Sequence, residues 1–135
     1  MMREILFRGK RLDNGEWVYG FYCHVPRGRL DRDEHMIQTV KKSGGIGMLH
    51  DVDPATVGQY TGLLDKNGER IFEGDVLTLD GEYGFFVLEF QEDTARFVMS
   101  GDSIVVDFDN FWSYEVEVMG NIHDKSELLE EDKDE

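Results

Sequence analysis

The chain has 135 residues, 40% of them hydrophobic and 12% aromatic, which is enough apolar surface for a packed core in one domain or two small subdomains. Its 14 Lys and Arg against 29 Asp and Glu give a formal net charge of −15, so most of its surface repels nucleic-acid phosphates. A single cysteine excludes an internal disulfide and a thiolate metal site, and no run approaches the roughly 20 apolar residues of a membrane span.

The first residues set an apolar run of only Ile5, Leu6 and Phe7 before Arg8, too short for a secretory signal. A reducing cytoplasm with no membrane association is expected. Leu6 to Leu12 and Trp17 to Cys23 read as a hairpin, because the second segment is aromatic and β-branched and Asn14-Gly15 suits a type I′ turn with two positive φ angles. Pro26 to Glu34 reads as a charged loop, Met36 to Val40 as a short strand, and the glycine-rich Lys41 to Gly47 as a mobile connection. Asp53-Pro54 suits the cap and first position of one helical turn, ended by Gly58. Gly62 to Gly74 echoes Gly9 to Gly20 around Asn67-Gly68, which predicts a second hairpin.

From Val76 a meander follows. Val76 to Asp80, Phe85 to Phe90, Ala95 to Ser100, Ile104 to Phe108 and Tyr114 to Ile122 are predicted strands separated by tight turns, the pattern of a small barrel. In the last of them Glu115 and Glu117 alternate with Val116 and Val118, setting one face to a core and one to water. Most aromatics in this half are expected inside. Phe108, Phe111 and Trp112 crowd a predicted loop where they cannot all point inward. Beyond Ser126, Leu128 and Leu129 suit one docked helical turn before a frayed acidic end.

Charge is uneven along the chain. Residues 1–50 hold nine Lys and Arg and six Asp and Glu, net +3, whereas residues 51–135 hold five and 23, net −18. Such polarity suits head-to-tail contacts between copies or a basic patch built from Arg8, Lys10, Arg11, Arg27, Arg29 and Arg32; it also suits simple solvation.

Chemistry finds little support. Asp65-x-Asn67-Gly68 begins like a calcium loop but places Arg70 and Val76 where the loop needs glycine and glutamate. Ser43-Gly44-Gly45-Ile46-Gly47 lacks the following lysine of a phosphate loop, since Lys41 and Lys42 precede it. His24, His35, His50 and His123 lack the i, i+4 helical spacing that aims two imidazoles at one zinc. Asp31-x-Asp33-Glu34-His35 and His50-Asp51-x-Asp53 contain ligand types, which folding could assemble or leave solvated. Cys23, inside an aromatic strand, is expected to be a buried, inert thiol, and no Gly-x-Ser-x-Gly elbow is present. No catalytic, cofactor-binding or metal residue is assigned, and neither an enzyme nor a cofactor is expected.

A family signal comes from an ordered set of segments. Phe7-Arg8-Gly9-Lys10-Arg11, Asn14 to Gly20, Val57 to Leu63, Asp65 to Gly68, Ile71 to Asp75 and the closing Glu115-Val116-x-Val118-Met119-Gly120-Asn121-Ile122 with Glu127-Leu128-Leu129 together resemble the YopX family of phage and prophage proteins. The resemblance implies a non-structural phage or prophage protein of a bacterial cytoplasm, with an N-terminal α+β part and a C-terminal SH3-like barrel. It carries no catalytic residue to any position.

The expectation is therefore a mainly β (α+β) protein. Residues 1–72 form an N-terminal α+β subdomain with hairpins, 73–123 an SH3-like small β-barrel, and 124–135 an acidic tail. Function is expected to be non-enzymatic binding or assembly with an unknown phage or host protein, a homo-oligomer being one form. An acidic nucleic-acid mimic and nucleic-acid binding through the basic patch are the alternatives.

Overall fold

A computed structural model describes residues 3–28, 31–79 and 84–124. Strand makes up 53% and helix 7%, so the mainly β expectation holds. The chain divides into two compact units, residues 1–60 and 61–135.

The first unit is an antiparallel sheet. β1 (Phe7–Lys10), β2 (Trp17–Val25), β3 (Glu34–Val40), β4 (Ile46–Asp51) and the start of β5 (Gly58–Leu64) lie in the order β4-β3-β2-β1-β5, which leaves β4 at an edge. The β1–β2 pairing runs from Phe7 opposite Gly20 to Lys10 opposite Trp17, as the hairpin reading predicts. Its turn is not type I′, however. Only Gly15 has positive φ (73°), while Arg11 N–H donates to Glu16 O and Gly15 N–H to Arg11 O; the Asn14 side chain accepts from Glu16 N–H at 2.9 Å. A longer loop with one left-handed glycine thus replaces the two-residue turn.

Packing explains two more glycines. A Cβ on Gly20 would lie 2.0 Å from the Gln38 carbonyl oxygen, so β2 and β3 approach closely only because that position is bare. A Cβ on Gly9 would lie 3.2 Å from Val52 Cβ and 3.3 Å from Ile37 Cδ1, so these two fully buried side chains close over β1. The Asp53-Pro54 cap forms as expected: the Asp53 side chain accepts from Ala55 N–H at 3.0 Å and opens a 3-10 turn, Pro54–Thr56. Thr56 Oγ1 then accepts from Lys10 N–H at 2.9 Å, tying the turn to β1.

Two expectations for this unit change. Its described helix content is this short turn and the 3-10 residue Asp31, so no α-helix, the α part of an α+β subdomain, is found among the described residues of this unit. The Lys41–Gly47 connection is a hairpin turn leading into β4, with Gly44 and Gly45 at φ 91° and 86°.

In the second unit, the end of β5 continues into a turn and β6 (Arg70–Phe72). There Asp65, only 3% exposed, accepts from three backbone N–H groups: Asn67 at 2.8 Å, Glu69 at 2.9 Å and Val118 at 2.9 Å. The residues that resemble the start of a calcium loop are thus a turn lock. Gly68 supplies the positive φ (82°).

β7 (Asp75–Thr78), β8 (Phe85–Gln91), β9 (Arg96–Ser100), β10 (Val105–Asp107) and β11 (Glu117–Asn121) form a sheet in the order β10-β9-β8-β7-β11. Its core holds Ile71, Leu77, Phe86, Leu88, Met99, Phe108 and Val116. The meander from β7 to β10 is as predicted, whereas the last strand begins at Glu117 rather than Tyr114 and pairs with β7; Val116, buried, and Glu115, exposed, lie just before it. The closed barrel is not formed. β10 and β11 end the sheet on opposite sides, because three-residue β10 spends its pairing on β9 and the chain then turns into α1 (Asn110–Ser113). The Asp109 carboxylate caps that helix by accepting from Phe111 N–H at 3.0 Å. The segment expected as an aromatic loop is therefore this helical turn, with Phe108 buried, Trp112 half-buried against the core and Phe111 68% exposed. The predicted turn beyond Ser126 lies outside the described residues.

Candidate functional site

The notable chemistry of the first unit lies on β2, β3 and β4, and strand alternation sorts it onto two faces. On one face β2 presents Tyr19, Phe21, Cys23 and Val25. Register places Phe21 opposite Gln38 and Gln38 opposite Leu49, so Leu49 continues the same face across the sheet. Tyr19, Phe21 (54%), Val25 and Leu49 (50%) are all exposed. Cys23 is exposed too, which corrects the buried-thiol expectation: the aromatic strand is half-covered, and the cysteine shares parity with its open side.

The other face carries the histidines. Tyr22 packs beside Phe7 with ring centroids 5.6 Å apart, and burial pushes its phenol pKa up. Its hydroxyl hydrogen-bonds His35 Nδ1. His24 is the direct cross-strand partner of His35, and the two imidazoles stack with centroids 4.3 Å apart and planes 8° apart. Asp33, just before β3, brings Oδ2 to 3.3 Å from His24 Nε2. One donor atom from each of His24, Asp33 and His35 lies within 4.8 Å of the others. A surface hollow of about 490 Å³ borders Asp33 and His35.

Of the ligand types noted in the sequence, Asp33 and His35 are thus joined by His24, which sequence spacing left apart. Pairing the two strands across the Pro26–Asp33 loop sets residue 24 against residue 35, a signal present in the hydrophobic pattern once both strands are recognised. His50 sits on β4 opposite Ile37, and the Asp53 side chain caps the 3-10 turn. The His123 N–H donates to the Asn121 side chain in the second unit.

The basic residues are not one solvent-facing patch. Arg8 is buried with its guanidinium 4.8 Å from the Trp17 ring centroid, and Lys10 lies 5.5 Å from the same ring. Arg11 donates twice to Asp13, at 2.9 and 2.6 Å, which holds the Asp13 carboxyl below the usual aspartate range. Arg29 lies outside the described residues. No described helix is long and apolar enough to cross a membrane.

Comparison with known proteins adds the family. The chain is similar in structure to a protein in "Crystal structure of protein EF1440 from Enterococcus faecalis", with a TM-score of 0.62, 23% sequence identity, and coverage of 95% of this chain and 99% of that one. At that identity the likeness shows the fold alone. No curated protein matches. The family model described as YopX protein matches residues 6–130, which include the family-like segments from Phe7 to Leu129, and the chain therefore belongs to the YopX family.

Proposed function

We propose that this chain is an accessory protein of a phage or prophage that acts in the bacterial cytoplasm as a non-enzymatic binding or assembly protein. The observation that carries the reading is the open apolar face of β2 and β4, where Tyr19, Phe21, Val25 and Leu49 stand exposed together. Exposed large apolar side chains gathered on one sheet face, here around Gln38, are typical of protein contact sites. A second copy of the chain is the occupant favoured by the charge polarity, since residues 1–50 carry +3 and residues 51–135 carry −18.

Size-exclusion chromatography with light scattering at low and high salt tests this. Assembly at low salt, weakened by salt and removed by Phe21→Ser with Leu49→Ser, is expected. A monomer under both conditions counts against it.

A second reading rests on the −18 of residues 51–135: an acidic mimic of nucleic acid occupying a basic site on a host protein. Pulldown from host lysate that recovers no nucleic-acid-binding protein would argue against that. Direct nucleic-acid binding has less support, because Arg8 is buried over Trp17 and Arg11 is held by Asp13. Salt-dependent binding to DNA or RNA would revive it.

A further inference from the structure

We infer that His24, Asp33 and His35 form a site for a first-row divalent transition-metal cation on the β2–β3 hairpin, independently of the apolar face on the opposite side of the sheet. Two imidazoles and a carboxylate are the donor set that suits zinc and its neighbours rather than calcium or magnesium.

Geometry supports the assignment. Metal–ligand distances near 2.0–2.2 Å in a tetrahedron set donors roughly 3.3–3.6 Å apart. The His24 Nε2 to Asp33 Oδ2 separation of 3.3 Å already matches that edge, and no donor of the three lies more than 4.8 Å from another. Closing the remaining gap requires the exposed His24 ring to tilt out of its stack on His35, so that the two imidazole lone pairs converge, with the exposed Asp33 side chain following it while the sheet stays in place. The backbone supplies the rest, since antiparallel register fixes His24 opposite His35.

Tyr22 adds a feature that chance proximity would not. With His35 Nδ1–H donating to the Tyr22 hydroxyl oxygen, the tautomer in which Nε2 is bare for the cation, this contact fixes the orientation of the imidazole. A hydrogen bond on the far nitrogen of a ligating histidine is the usual support of such sites. Tyr22 is thus a positioning residue. The hollow bordered by Asp33 and His35 leaves room beside these two ligands for water to complete a four-coordinate shell.

The test uses the untagged full chain with ZnCl₂ and CoCl₂. Calorimetry is expected to give one zinc per chain, and cobalt to give the intense visible bands of tetrahedral coordination. In NMR, zinc is expected to shift the ring protons of His24 and His35 and to leave those of His50 and His123 in place. His24→Ala and Asp33→Asn, at exposed positions, should each weaken binding more than tenfold with unchanged circular dichroism. Tyr22→Phe should weaken it about tenfold through loss of ring orientation. Absence of zinc binding, unchanged affinity in His24→Ala, or shifts confined to His50 and His123 would each overturn the assignment; the wild-type NMR result stands even where a variant fails to fold.

Discussion

Replacing Asp65 tests whether the turn after β5 is held by its side chain. The carboxylate accepts from the backbone N–H groups of Asn67, Glu69 and Val118 at 2.8–2.9 Å while being almost fully buried. Hydrogen bonds to a charged group are worth about 1.5–3 kcal/mol each, and water entering a half-buried turn restores part of the loss, so Asp65→Ala should cost about 4 kcal/mol. Asp65→Asn keeps one oxygen acceptor but sets an amide group against a donor, and should cost about 2 kcal/mol. Both are measured by urea unfolding in a Trp17→Phe background, where Trp112 reports on the second unit. Amide exchange at Val118 should accelerate in the same order. A loss below about 0.5 kcal/mol in Asp65→Ala, the range of an ordinary surface change, would refute the reasoning.

Three further outcomes follow from the structure. Gly20→Ala should destabilise the first unit by about 3 kcal/mol, because its Cβ would overlap the Gln38 carbonyl; thermal unfolding followed by Trp17 fluorescence measures this. Asp13 should titrate below other exposed aspartates by NMR, since Arg11 hydrogen-bonds its charged form, and Arg11→Gln should return it upward. The pairing favours the folded chain above the ordinary aspartate pKa and fades as pH falls through the lowered one. Native Cys23 should react with a thiol reagent at nearly the rate seen in the urea-unfolded chain, and slow reaction would contradict its exposure.

Much of the strand content was legible from pattern. Asn14-Gly15 and Asn67-Gly68 marked two turns, and the valines among the glutamates near the end picked out two core contacts, Val116 just before β11 and Val118 within it. Turn geometry was not, since a loop with one left-handed glycine and a two-residue turn share the same dipeptide. β4 was hidden because Gly47, required where its Cβ would meet Thr39 Oγ1 at 2.4 Å, made Ile46 to Asp51 look like loop. Barrel closure is a property of the two ends of a sheet, which no local pattern encodes. The histidine cluster was half visible: Asp33 and His35 are near in sequence, but His24 joins them only through register across an intervening loop.

The outermost strand of the first sheet, β4, has a sequence almost without charge: Ile46, Gly47, Met48 and Leu49 precede His50 and Asp51. Free edges are commonly defended against fibril growth by inserting charge or proline, yet here the guarding lysines, Lys41 and Lys42, sit in the preceding turn rather than on the strand. β4 is thus the strand at which edge-to-edge pairing between copies is expected first at high concentration. Met48→Lys is accordingly the first change to make when a concentrated, well-behaved sample is wanted.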